Sequence, residues 1–227
     1  MRKLLLIFVL CDLFILPISA QKIKIGIVAG PVMTTTNKAT NSFSNSGDSS
    51  RDRTNTVKSN FSFFGGMVAS IPVSKNIIFK PQLQYIIKGW KVEHDFTNRE
   101  DWETNLVSQW IEMQMNFVYA VPAKNGRFFF GLGPQISYAL SAMQHDSREG
   151  MDKKVEFGEA ILSDNIPQAN RLDAGVNFIA AYEFRNGFFI NLNYSRGFID
   201  FRNDLDTDIN PQNKNIVVSL GIGYMFK

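Results

Sequence analysis

From Ile23 to the end of the chain, apolar residues recur at every second position, the signature of strands with one apolar and one polar face. The segment 22–32 reads KIKIGIVAGPV: Ile23, Ile25, Ile27 and Ala29 share one face, and Lys22, Lys24, Gly26 and Gly30 share the other. Across 105–121, Val107, Ile111, Met113, Met115, Phe117, Tyr119 and Val121 stand opposite Ser108, Glu112, Gln114 and Asn116. Six further runs repeat the pattern, at 59–73, 77–90, 127–143, 170–184, 187–201 and 215–226, so eight strands are expected in an all-β chain.

The connections alternate in length. Ser74-Lys75-Asn76, Lys124-Asn125-Gly126 and Arg185-Asn186-Gly187 are tight and carry the Asn or Gly that hairpin turns favour. The segments 33–58, 91–104, 144–169 and 202–214 are long and polar. In an antiparallel up-and-down meander this brings all long loops to one end and all tight turns to the other, the layout of an eight-stranded transmembrane β-barrel with short periplasmic turns and long external loops. An even strand number puts both termini at the tight-turn end. The Ser-, Thr- and Asn-rich loop 33–58 is expected to be mobile and tolerant of insertion.

Alternation alone leaves a choice between a membrane barrel, with its apolar face outward, and a soluble lipocalin-like carrier, with that face inside. The tyrosines favour the first. Tyr85, Tyr138 and Tyr194 fall on the apolar face toward the long loops, and Tyr119, Tyr182 and Tyr224 on the same face toward the tight turns. Two such rings are expected at two lipid–water boundaries, because tyrosine has an apolar body and a polar tip. Trp90, Trp102 and Trp110 are read as adding to the ring at the long-loop end, or as packing the loop between them. The opposite face carries Lys80, Lys88, Glu112, Arg171, Asp173 and Glu183 together with Gln82, Gln84, Gln114, Asn116, Gln135, Asn177, Asn191 and Asn193. Eight strands leave room for side chains but no wide channel, so these groups are expected to pair across the lumen and close it, while a cluster of Gly131, Gly133, Gly175, Gly221 and Gly223 leaves room for a narrow water-filled gap.

Arg2 and Lys3, the apolar run Leu4 to Leu16 and Pro17-Ile18-Ser19-Ala20 read as a secretory signal over 1–20, leaving one domain over 21–227. Cys11, the only cysteine, would leave with it, which excludes disulfides and thiolate chemistry in the mature chain. The signal takes two positive charges and one negative with it, moving the net from +3 to +2, far from the excess of a nucleic-acid binder. No cofactor is expected. His94 and His145 each begin a long loop beside acids, without metal-ligand spacing. Asp204, Asp206 and Asp208 resemble part of a calcium loop, but Ile209 stands where the turn glycine belongs and Asn215 where the bidentate glutamate belongs. A lipid-modifying enzyme would need one of the histidines as its base, and no nucleophile motif accompanies either.

The signal followed by Gln21, the Gly-rich opening strand KIKIGIVAGPV and the closing VVSLGIGYMF resemble the PorT-like outer-membrane β-barrel domain family of Bacteroidetes, over nearly the whole mature chain. The resemblance implies a cell outer membrane location, no active-site residues and, for one branch, an accessory place in type IX protein secretion. On the last strand Val218, Leu220, Ile222, Tyr224 and Phe226 share a face similar to the closing signal read by the barrel-assembly machinery, with Lys227 as a departure. The expected function is a non-catalytic scaffold presenting external loops. Its expected partners are outer-membrane lipids, the assembly machinery and an extracellular or secretion-system protein, with no nucleic acid.

Overall fold

The computed structural model describes residues 23–36, 41–43, 53–96, 100–148, 150–158, 168–201 and 214–226. The proposed signal, Gly47 and the three aspartates of 204–208 lie outside them. In chain order the strands are β1 (Lys24–Thr36), β2 (Asn41–Phe43), β3 (Arg53–Pro72), β4 (Ile77–Phe96), β5 (Trp102–Ala123) and β6 (Gly126–Asp146). They continue with β7 (Met151–Lys154), β8 (Glu156–Phe157), β9 (Gln168–Ala169), β10 (Leu172–Phe184), β11 (Phe188–Gly197) and β12 (Asn215–Met225).

Eight of these close into a ring in which every neighbour is antiparallel: β1, β3, β4, β5, β6, β10, β11 and β12. The seam is β1, whose residues from Gly26 to Thr36 pair with Met225 to Asn215 while Lys24 to Thr34 pair with Ser70 to Asn60. Closure leaves the ring no free edge, which is the condition for a sheet to stand in lipid. The turn at Gly187 has φ +98°, a conformation that favours glycine, and is closed by the Gly187 amide donating to Phe184 O.

The ring is lopsided. β10, β11, β12 and β1 span 13, 10, 11 and 13 residues, whereas β3 to β6 span 20, 20, 22 and 21. A tilted membrane strand needs about 9–11. The four long strands therefore rise about ten residues beyond a bilayer as a wall, extended at one edge by β2 on β3 and at the other by β7 on β6.

The expected loops 33–58, 91–104 and 144–169 are thus partly sheet, the second being strand through Phe96 and again from Trp102. The strand expected over 187–201 is shorter, ending at Gly197. Alternation in the wall continues with polar residues on the outer face, Lys91, Glu93 and Asp95 on β4 for example, since a ladder in water needs no apolar outer face. Two register shifts lie near the foot of the wall, between Ser59 and Phe64 on β3 and at Gln109/Trp110 on β5, where Leu140 is the extra residue of β6. Each resets which parity faces inward, so Ala139 and Ala142 are both buried.

Candidate functional site

The outer surface divides by chemistry. On β4, Ile77, Phe79, Pro81, Leu83, Tyr85 and Ile87 point outward over 11 residues, followed by Lys91 and Glu93. On β6, Phe128, Phe130, Leu132, Pro134, Ile136 and Tyr138 do the same. Eleven residues at about 3.3 Å each, tilted by about 40°, give an apolar band near 25 Å tall, the height of a barrel's lipid-facing belt. All six tyrosines point outward, with Tyr85 and Tyr138 both beside Ile111. Above the band the wall carries ion pairs, Lys58–Glu93 at 2.6 Å and Lys91–Glu103 at 2.6 Å, and the Glu93 hydrogen bond holds the Lys58 ammonium above its ordinary pKa.

The lumen is packed in layers. Its central layer is a polar network around Glu112, which is fully buried. Lys88 Nζ lies 2.6 Å from Glu112 Oε2, and Ser137 Oγ donates to the same oxygen at 2.8 Å. Gln84 and Gln114 both donate to Oε1 at 2.8 Å, and Gln82 donates to Gln84 at 2.6 Å. Beside it, Asn177 donates to Asn116 and accepts from Ser195. Nearer the loops, Asp173 accepts from Asn215 Nδ2 at 3.0 Å.

At the tight-turn end Glu183 meets Arg127 Nη2 at 2.9 Å, Lys24 Nζ at 3.6 Å and Lys80 Nζ at 3.8 Å, with Lys80 also over the Phe129 ring. At the loop end an apolar cap lies across the lumen: Phe201 packs edge-on to Trp90 at 5.5 Å and against Trp110 at 5.5 Å, with Val155 and Ala169 from the loop segments buried beside them. The inner-face glycines of β12 are crowded by their neighbours. A Cβ at Gly221 would collide with Asn191, Phe64 and Val28, and one at Gly223 with Phe189 and the Ile27 carbonyl.

Two readings of the sequence are corrected here. Arg171 does not enter the lumen network: β10 begins only at Leu172, so the alternation that would aim Arg171 inward has not started, and its exposed guanidinium donates to Tyr138 Oη at 3.1 Å. Trp90 and Trp110 do not belong to an outer ring. They face inward as the cap, with Trp110 Nε1 satisfied by Ser108 Oγ, while Trp102 stacks on His94 at 3.8 Å. Phe201 closes the expected run 187–201 on the parity of Asn191 and Asn193 but was not singled out as a lumen residue, and it reaches the lumen from beyond the strand end at Gly197.

The two histidines are engaged separately. His94 contacts Asn55 Oδ1 at 2.6 Å and Thr104 Oγ1 at 3.3 Å, and His145 contacts Asp152 at 2.7 Å. Among the described residues no three His, Cys, Asp or Glu side chains come together as a metal site.

A family model described as an outer membrane protein beta-barrel domain matches residues 19–203. Similar solved structures include Ail, the attachment invasion locus protein of Yersinia pestis, at 12% identity over 91% of this chain and 100% of that one, with a TM-score of 0.41. They also include Neisserial surface protein A, at 10% identity over 91% and 100% with a TM-score of 0.44, and OprG of Pseudomonas aeruginosa, at 11% over 89% and 95% with a TM-score of 0.47. At these scores the likenesses bear on neither activity nor partners. No curated protein matches the chain.

Proposed function

Because the chain belongs to the outer membrane protein beta-barrel domain family, and so is a protein of the outer membrane, we propose that it is a closed, non-catalytic scaffold that holds a raised sheet and its loops outside the cell. The observation that carries the reading is the pairing of a filled lumen with a wall that continues above the apolar band. A transport barrel would keep the first open and has no need of the second. Orientation follows from the same asymmetry: the tight turns face the periplasm, and Tyr85, Tyr138 and Tyr194 form the outer girdle, with Tyr119, Tyr182 and Tyr224 the inner one. Tyr224 and Phe226 serve as the assembly signal, supported by the Phe226 amide donating to Ile25 O across the seam. The narrower PorT-like affiliation rests on the opening and closing strands. A place in a secretion machinery would be one use of the same exposed wall.

Single-channel recording in planar bilayers is expected to show no large, stable conductance steps, since eight-stranded barrels fill with side chains and porins use about sixteen strands. Porin-like steps would defeat the closed-lumen reading and put transport first. An epitope inserted near Gly47 is expected to bind antibody on intact cells, and access only after the outer membrane is breached would reverse the orientation.

A further inference from the structure

We propose that the tight-turn mouth of the barrel binds the phosphate of an anionic phospholipid in the periplasmic leaflet. The inference rests on the orientation proposed above, and its starting point is an unbalanced charge. Among the described residues Glu183 alone faces Lys24, Arg127 and Lys80 within 4 Å, and Lys80 is only 2% exposed. One carboxylate leaves two positive charges uncompensated in a half-enclosed site, and buried charge calls for counter-charge. A cavity of about 340 Å³ opens there, lined by Lys24, Arg127, Glu183, Phe184 and Arg185.

The imbalance extends over the whole mouth. Among the described residues the tight-turn end carries Lys24, Lys75, Lys80, Lys124, Arg127 and Arg185 against Glu183 alone. The wall at the opposite end pairs its charges, as in Lys58–Glu93 and Lys91–Glu103. Lys75, Lys124 and Arg185 sit exposed on the three hairpin turns, around the rim of the mouth. A free phosphate in the cavity would leave Lys75 and Lys124 unused; a surface of anionic head groups engages all three.

The cavity is also joined to the lipid side. Phe184 lines it and points outward, 4.7 Å edge-to-face from Tyr182. Tyr182 packs on Phe128 at 4.6 Å, and Phe188, Tyr224 and Phe226 continue the aromatic belt at 5.1 and 5.6 Å. A phospholipid whose chains lie along this belt places its phosphate at the level of Lys24, Arg127 and Arg185. Basic residues at a membrane surface attract anionic lipid by charge.

The test is native mass spectrometry of the full-length protein released from nanodiscs of phosphatidylglycerol mixed with phosphatidylcholine. Wild type is expected to retain phosphatidylglycerol selectively. Lys24→Gln/Arg185→Gln should weaken that retention roughly 25-fold, at about fivefold per charge. It leaves Arg127 and Lys80 on Glu183, and Lys75→Gln/Lys124→Gln on the exposed turns should shift retention in the same direction without touching the lumen. Lys58→Gln/Lys91→Gln, the same charge change at the other end, should have no effect. Equal retention of both lipids, or equal loss in the variants at both ends, overturns the proposal. Complete displacement of lipid by millimolar inorganic phosphate would make the ligand a free anion and overturn it as well. Nanodiscs present the same lipids on both faces, so binding there is independent of orientation. If the Gly47 epitope proves periplasmic while lipid retention holds, the site stands and only its leaflet changes.

Discussion

Replacing Glu112 by alanine should destabilise the folded barrel by about 3–5 kcal/mol, the loss typical when one partner of a buried ion pair is removed. Four side chains converge on this carboxylate. Lys88 and Ser137 reach one oxygen, and Gln84 and Gln114 reach the other. Without it the Lys88 ammonium is left buried over Trp110 without its ion-pair partner, and three neutral side chains lose an acceptor. Lys88→Met/Glu112→Leu should recover most of the loss, because two apolar side chains of similar volume remove both charges together. Urea titration of folding in lipid vesicles measures both variants. If Glu112→Ala stays within about 1 kcal/mol of wild type, the network is not what holds this layer closed.

The inner layers were legible wherever a strand crosses the apolar band. There every outward position must suit lipid and every inward one must suit a narrow lumen, so the two faces of 105–121 separate cleanly in the sequence. Above the band that constraint lapses. Lys91, Glu93 and Glu103 give the outer face the composition of a loop, and the sheet continues only because its backbone ladder does. The register shifts at Leu140 and before Phe64 break the parity that a sequence reading must assume. Trp90 and Trp110 read as girdle residues because aromatics near a boundary commonly are. Strand parity with Lys88 on β4 and with Ser108 and Glu112 on β5 sets them inward, where Phe201 packs on both. Arg171 failed for a related reason: one residue before the first ladder position of β10, alternation has no authority over where a side chain points.

Leu132→Arg tests the membrane embedding from the outer face. Leu132 is 55% exposed, pairs in register with Phe117 on one side and Phe178 on the other, and lies near the middle of the outward run from Phe128 to Tyr138. An arginine at that height must hold its guanidinium in hydrocarbon or thin the bilayer around it, at about 2–4 kcal/mol near the midplane. Val176→Arg, one strand over and paired with Pro134, should behave alike. Met143→Arg points outward on the same strand as Leu132 but beyond Tyr138 and the bulge, and should cost about 0–1 kcal/mol, as arginine does near the lipid boundary. The gradient along one strand is the diagnostic quantity, because a general loss of strand propensity would affect both positions equally. If this outward band faced water instead of lipid, Leu132→Arg would be tolerated or would improve solubility. Folding free energies in vesicles that rank Leu132→Arg no worse than Met143→Arg would therefore take the apolar band out of the bilayer.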